Sequence, residues 1–219
     1  MTMSPELAFL LGLLLKIAMT ATIVVAASVV VERSGPFVGA LIASLPTAGG
    51  AAMIILAMEH PPAFVAQSAV GSMVSNAVCG IFALTYAVLA QRRSLAVSLG
   101  LALLVWFGCA ALTRLVDWSA ASAALLNAVV FPMAILAGRG FRADGAISRV
   151  KLTVDDLVWR AGVVTLCVIV VTGLSAAIGS FASGLFAFFP VAMGSYFVIL
   201  HPRIGGRLRP AWRRMCWRP

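Results

Sequence analysis

The stretch SLPTAGG, Ser44 to Gly50, lies inside an apolar run long enough to cross a bilayer, yet it carries its own helix breaker. Proline removes a backbone donor and blocks the hydrogen bond one turn back, and paired glycines loosen what remains. A second stretch, FFPVAMG, Phe188 to Gly194, places proline and glycine at the same spacing near the other end of the chain. Two matching breakers inside apolar runs point to interrupted membrane helices, and the rest of the sequence bears on that expectation.

Of the 219 residues, 62% are hydrophobic and 11% charged, with a mean hydropathy of +1.06. A soluble domain has about 25% charged residues, so this composition belongs to an integral membrane protein. Seven apolar spans are expected, over 8–31, 36–58, 65–90, 95–115, 119–138, 157–177 and 179–201. The formal net charge of +9 comes from residues in short loops and in the Arg-rich tail 203–219, with no aromatic-interleaved basic patch. That distribution argues against nucleic acid and for positive-inside topology. With the N-terminus outside, fourteen of the sixteen basic residues fall on the cytoplasmic side, all but Lys16 and Arg114. No basic segment precedes the first apolar run, so a cleaved signal peptide is not expected. The four cysteines have neither metal-ligand nor disulfide spacing.

Laying residues 16–60 on 160–204 without a gap gives ten identities in 45 positions, where roughly four are expected by chance. They include Gly35/Gly179, Phe37/Phe181, Leu41/Leu185, Pro46/Pro190, Gly50/Gly194 and Ile55-Leu56/Ile199-Leu200. Five spans separate the two starts, and an odd number reverses the direction of entry. The expected fold is therefore an all-α membrane domain over 1–219 with an inverted-topology internal repeat and spans two and seven interrupted. Lys16 and Arg160 open the two copies and are expected as basic anchors toward opposite faces.

Interrupted segments at matching places in two inverted halves point to a transport site, because helix ends near the midplane expose backbone groups and dipoles to a polar ligand. The candidate residues are Pro46, Thr47, Gly49, Gly50, Asn76, Pro190, Gly194, Ser195 and Tyr196. Ser68, Ser72, Ser75 and Asn76 recur at spacings of three and four on one helical face, and Ser119, Ser122 and Asn127 precede Pro132 in the fifth span. Such residues either line a polar path or hydrogen-bond neighbouring helices. No acidic residue lies deep in a span, which disfavours proton antiport and favours a neutral or anionic solute or facilitated diffusion. His60 and His201, each beside proline at a span end, are expected at the interface. No catalytic set, metal cluster or phosphate loop is present in the sequence, so neither an enzyme nor a cofactor is expected.

The second copy stops after two spans, which leaves a basic cytoplasmic tail, a homodimer or a second membrane chain as the completion of the fold. GPFVGALIASLP, Gly35 to Pro46, resembles the GGL-x-x-SLP signature of a family of short, uncharacterised bacterial integral membrane proteins, departing from it at Gly39-Ala40. The likeness covers about the first hundred residues; it implies a bacterial inner membrane and no particular activity. The five-plus-five plan is similar to that of drug/metabolite-type transporters at the level of fold alone. The expected function is secondary transport or permeation of a small polar solute across that bilayer; the alternative is a non-transporting scaffold or accessory subunit.

Overall fold

A computed structural model describes residues 5–139 except 34–46, and residues 153–204. Within these limits the chain forms eight helices: α1 (Pro5–Arg33), α2 (Thr47–Glu59), α3 (Pro62–Ala90), α4 (Leu95–Thr113), α5 (Ala120–Gly138), α6 (Val154–Ile178), α7 (Ser180–Ala187) and α8 (Val191–Ile204). No strand occurs among the described residues. Six stretches are long and apolar enough to cross a membrane: Leu10–Val30, Pro62–Ala90, Leu95–Thr113, Ala120–Gly138, Val154–Ile178 and Ser180–Ile199. Large apolar side chains such as Leu104, Leu125, Met133 and Leu166 stand exposed along these helices, a surface suited to hydrocarbon and not to water. The protein is an all-helical, multi-pass membrane protein.

The expected second span over 36–58 is described only from Thr47, as a helix of 13 residues. Ser44, Leu45 and Pro46 lie outside the described residues. The expected interruption near Pro190 falls within them. Here α7 ends at Ala187 and α8 begins at Val191, with Phe188 to Pro190 between them. Pro132, by contrast, is accommodated inside α5.

Local chemistry explains several helix ends. Ser119 caps α5 and Thr153 caps α6, each in a reciprocal capping box, with Ser122 and Asp156 respectively. The start of α6 therefore lies before Asp155 and Asp156, three residues earlier than the expected span. Between α6 and α7 the chain turns on a single residue, Gly179, at φ 84° and ψ 167°. That region is open essentially to glycine alone. Its N–H donates to the Ser175 carbonyl at 3.1 Å, and its own carbonyl accepts from Ser183 N–H at 2.9 Å.

The described residues group into two units, one of 5–33, 47–72 and 153–193, the other of 73–139 and 194–204. In the first, α1 and α6 run antiparallel. Lys16 Nζ donates to Thr172 Oγ1 at 3.5 Å and Arg160 Nη1 donates to Ser28 Oγ at 2.9 Å, so as one residue number rises the other falls by the same amount. Val24 from α1 and Val164 and Val168 from α6 fill the seam between these two polar ends, and α2 adds Ala48, Ala52 and Ile55 to the same core.

These contacts share a register. Lys16 and Ser28 stand 144 positions before Arg160 and Thr172, so each contact is the other with its two chain segments exchanged. Buried positions follow the same offset: Val24 and Val168, Ala48 and Ala192, Ala51 and Ser195, Ala52 and Tyr196, Ile55 and Ile199.

In the second unit, α4 buries Ser98, Ala102, Trp106 and Ala110, one residue per turn. Phe197 stacks on Tyr86 with ring centroids 3.8 Å apart, and the Tyr86 hydroxyl meets His201 Nδ1 at 2.7 Å.

Candidate functional site

Charges within apolar helices concentrate at the two ends of the α1–α6 seam. At one end Arg160 is 3% exposed, not the interfacial anchor expected of it. A guanidinium buried this far requires acceptors. Ser28 supplies one while donating its own proton to the Val24 carbonyl at 2.7 Å.

At the other end Lys16 is likewise no free anchor. Its ammonium lies 2.7 Å from Glu59 Oε1, at the last residue of α2. Thr172 Oγ1 accepts from Lys16 while donating to the Val168 carbonyl at 2.9 Å. Ser175 donates to the Thr172 carbonyl at 2.6 Å. A serine has one proton to give, so its 2.7 Å contact with His60 is donated by His60 Nε2. His60 follows Glu59 in the chain and stacks on Phe64 at 3.9 Å. Glu59, Lys16, Thr172, Ser175 and His60 thus close a ring joining α1, α2 and α6. One turn beyond Lys16 on the same face, the Thr20 hydroxyl is buried without a hydrogen-bond partner.

The interruption before α8 is held close to the start of α2. Phe189 N–H donates to the Phe186 carbonyl at 2.9 Å and Val191 N–H to the Phe189 carbonyl at 2.7 Å, while Pro190 has no proton to give. The ring of Phe188 lies where a side chain at Gly49 would stand. The two breaker stretches therefore touch through Gly49 and Phe188.

The remaining candidates are dispersed. Pro46 lies outside the described residues and Thr47 opens α2. Gly50 is exposed, with nothing near its Cα hydrogen. Asn76 belongs to the second unit, where its amide donates to Asn127 Oδ1 at 3.0 Å; Asn127 in turn donates to the Met73 and Ala123 carbonyls, both at 2.8 Å. Gly194, Ser195 and Tyr196 are also in that unit. The latter two are buried, and Gly194 stands near Leu99.

The serine stripe of α3 resolves, in its first half, in favour of helix packing. Ser68 Oγ donates to the Ser180 carbonyl at 2.8 Å and Ser72 Oγ to the Gly184 carbonyl at 3.1 Å. Gly71 and Gly184 allow this approach, since a methyl group at either would run into backbone of the opposing helix. Ser119 and Ser122 serve the α5 cap.

The ring around Lys16 and Glu59 was missed in the sequence because its members lie far apart in the chain. One signal was available. An ionisable residue inside a span needs a partner, and Glu59 is the acidic residue at the near end of the next span. No protein-family model, curated protein or solved structure matches the chain.

Proposed function

We propose that the protein is a secondary transporter or permease for a small polar solute, built as seven spans on an inverted repeat with spans two and seven interrupted. The observation that carries this reading is the exchanged pair of contacts, Lys16 with Thr172 and Arg160 with Ser28, at the repeat offset. A pair of elements that makes each contact twice, with roles exchanged, has the character of a two-fold interface. In a membrane that relation supports two related halves entering from opposite faces, the plan on which alternating access rests. The two contacts lie about 18 Å apart at the usual helical rise. Valines separate them, so each polar end belongs to one side of an apolar barrier.

In this reading the N-terminus is outside and the basic tail cytoplasmic, in a bacterial inner membrane. Lys16, Glu59 and His60 face the outer side and Arg160 the inner. The touching breaker stretches, with Thr47 and Pro190, form the pathway. The engagement of Ser68, Ser72, Gly71 and Gly184 in packing favours the second reading, a scaffold whose small residues serve helix contact alone.

Single cysteines from Ser44 to Gly50 and from Phe188 to Ser195, in a cysteine-free background, discriminate the two. A transporter admits small polar thiol reagents to both segments, from opposite faces. Uniform protection of both segments rules out the pathway and leaves the scaffold.

A further inference from the structure

The two charges of the Lys16–Glu59 pair are unequally placed. The Lys16 side chain is 19% exposed and that of Glu59 38%. Lys16 stands eleven residues into an apolar helix of 29 residues. An ammonium there is costly without a counter-charge, because little water remains to solvate it. Glu59 ends its helix, engages Lys16 through one oxygen, and has its second oxygen without a partner among the described residues. Lys16 is thus the fixed charge and Glu59 the one that water can take over. Lys16 keeps one N–H beyond those turned to Glu59 and Thr172, and the unpartnered Thr20 hydroxyl lies on the same helical face.

We propose that Lys16 binds a small monovalent carboxylate-like anion, that Glu59 is its built-in counter-ion, and that the anion enters only as Glu59 takes up a proton. The proton comes from water and adds to a Glu59 carboxylate oxygen. The ion pair opens, and the anion takes the place of the carboxylate beside the ammonium. The site is neutral before and after. With Glu59 ionised, two anions face one ammonium and the second is repelled. The transport reading is taken up here and deepened: the cargo is an anion accompanied by a proton. The absence of a carboxylate deep in a span does not exclude coupling, because α2 delivers one from its end.

The charged and titratable groups around Glu59 are few. From α1 comes Lys16, with Glu6 ten residues nearer the N-terminus. The end of α6 contributes the hydroxyls of Thr172 and Ser175, its charged residues Asp155, Asp156 and Arg160 standing at the opposite end. His60 follows Glu59, and the first turn of α3 has no charge.

The test uses the full-length protein in detergent, with formate and pyruvate as probes and saturable thermal stabilisation as readout, between about pH 5 and about pH 8. In the unsubstituted protein the apparent affinity weakens about tenfold for each unit of rising pH, because one proton enters with each anion. Glu59→Gln binds both probes with that slope abolished, Lys16→Met shows no stabilisation, and His60→Gln keeps the slope. Absence of binding in both the unsubstituted protein and Glu59→Gln overturns the proposal. So does a slope unchanged in Glu59→Gln, or one lost in His60→Gln. Should Lys16→Met not fold, the comparison of Glu59→Gln with the unsubstituted protein decides alone. Binding without flux in vesicles defeats the transport reading and leaves the site, whereas flux without this binding pattern does the reverse.

Discussion

Replacing Gly184 by alanine tests how α3 and α7 are held together. An added Cβ overlaps the Ser68 carbonyl oxygen and sits 2.5 Å from its carbon and 2.7 Å from its Cα. Carbon atoms are comfortable at about 3.5–4.0 Å, so the helices must part by about 1 Å, and the opposing atoms are backbone that cannot rotate away. That separation strains two hydrogen bonds, Ser68 to the Ser180 carbonyl and Ser72 to the Gly184 carbonyl. Overpacking costs about 1–3 kcal/mol, and two interhelical bonds add about 1 kcal/mol at the ~0.6 kcal/mol typical within membranes. Alanine returns up to about 1 kcal/mol through helix propensity. The net destabilisation is about 1–3 kcal/mol, equivalent to a Tm lowered by about 2–12 °C for a chain of this length. Thermal unfolding in detergent measures it, with Gly173→Ala as the matched control, because nothing lies within 4 Å of a Cβ there. The control is expected to be neutral or slightly stabilising. A Gly184→Ala protein as stable as Gly173→Ala refutes the close approach and with it the packing role of the serine stripe.

Ser28→Ala removes an acceptor from the buried Arg160 and is expected to cost about 1–2 kcal/mol. Thr22→Ala, which removes only a bond to the Ala18 carbonyl of its own helix, is expected to cost less, and equal effects in the same unfolding measurement refute the role of Ser28. In the second unit, a double-mutant cycle on Asn76 and Asn127 with alanine is expected to give a coupling of about 0.6–1.7 kcal/mol. A coupling near zero refutes the amide contact.

Much of this architecture follows from one-dimensional information. Hydropathy marks the long helices because every residue in hydrocarbon must be apolar or paired, a constraint that acts position by position. The interruption at Pro190 was legible from the proline together with its match in spacing to Pro46 and Gly50, since proline alone does not break a helix, as Pro132 inside α5 shows. Boundaries were less so: Asp155 and Asp156 belong to the first turn of α6, where Thr153 caps the helix and charge at an N-terminus is favourable.

The partners of the polar residues were decided by tertiary structure. Lys16 finds Glu59, Arg160 finds Ser28 and His60 finds Ser175 across separations that no periodicity encodes. The same holds for Ser68 and Ser72, whose spacing fits a polar path as well as a packed seam until Gly184 brings a second helix within reach. The sequence by itself determined that the chain lives in a membrane and where its long apolar helices run, because desolvation and backbone geometry are local. Only the tertiary structure decided which charges neutralise one another, because a counter-ion in a medium of low dielectric is selected by distance in space and not along the chain.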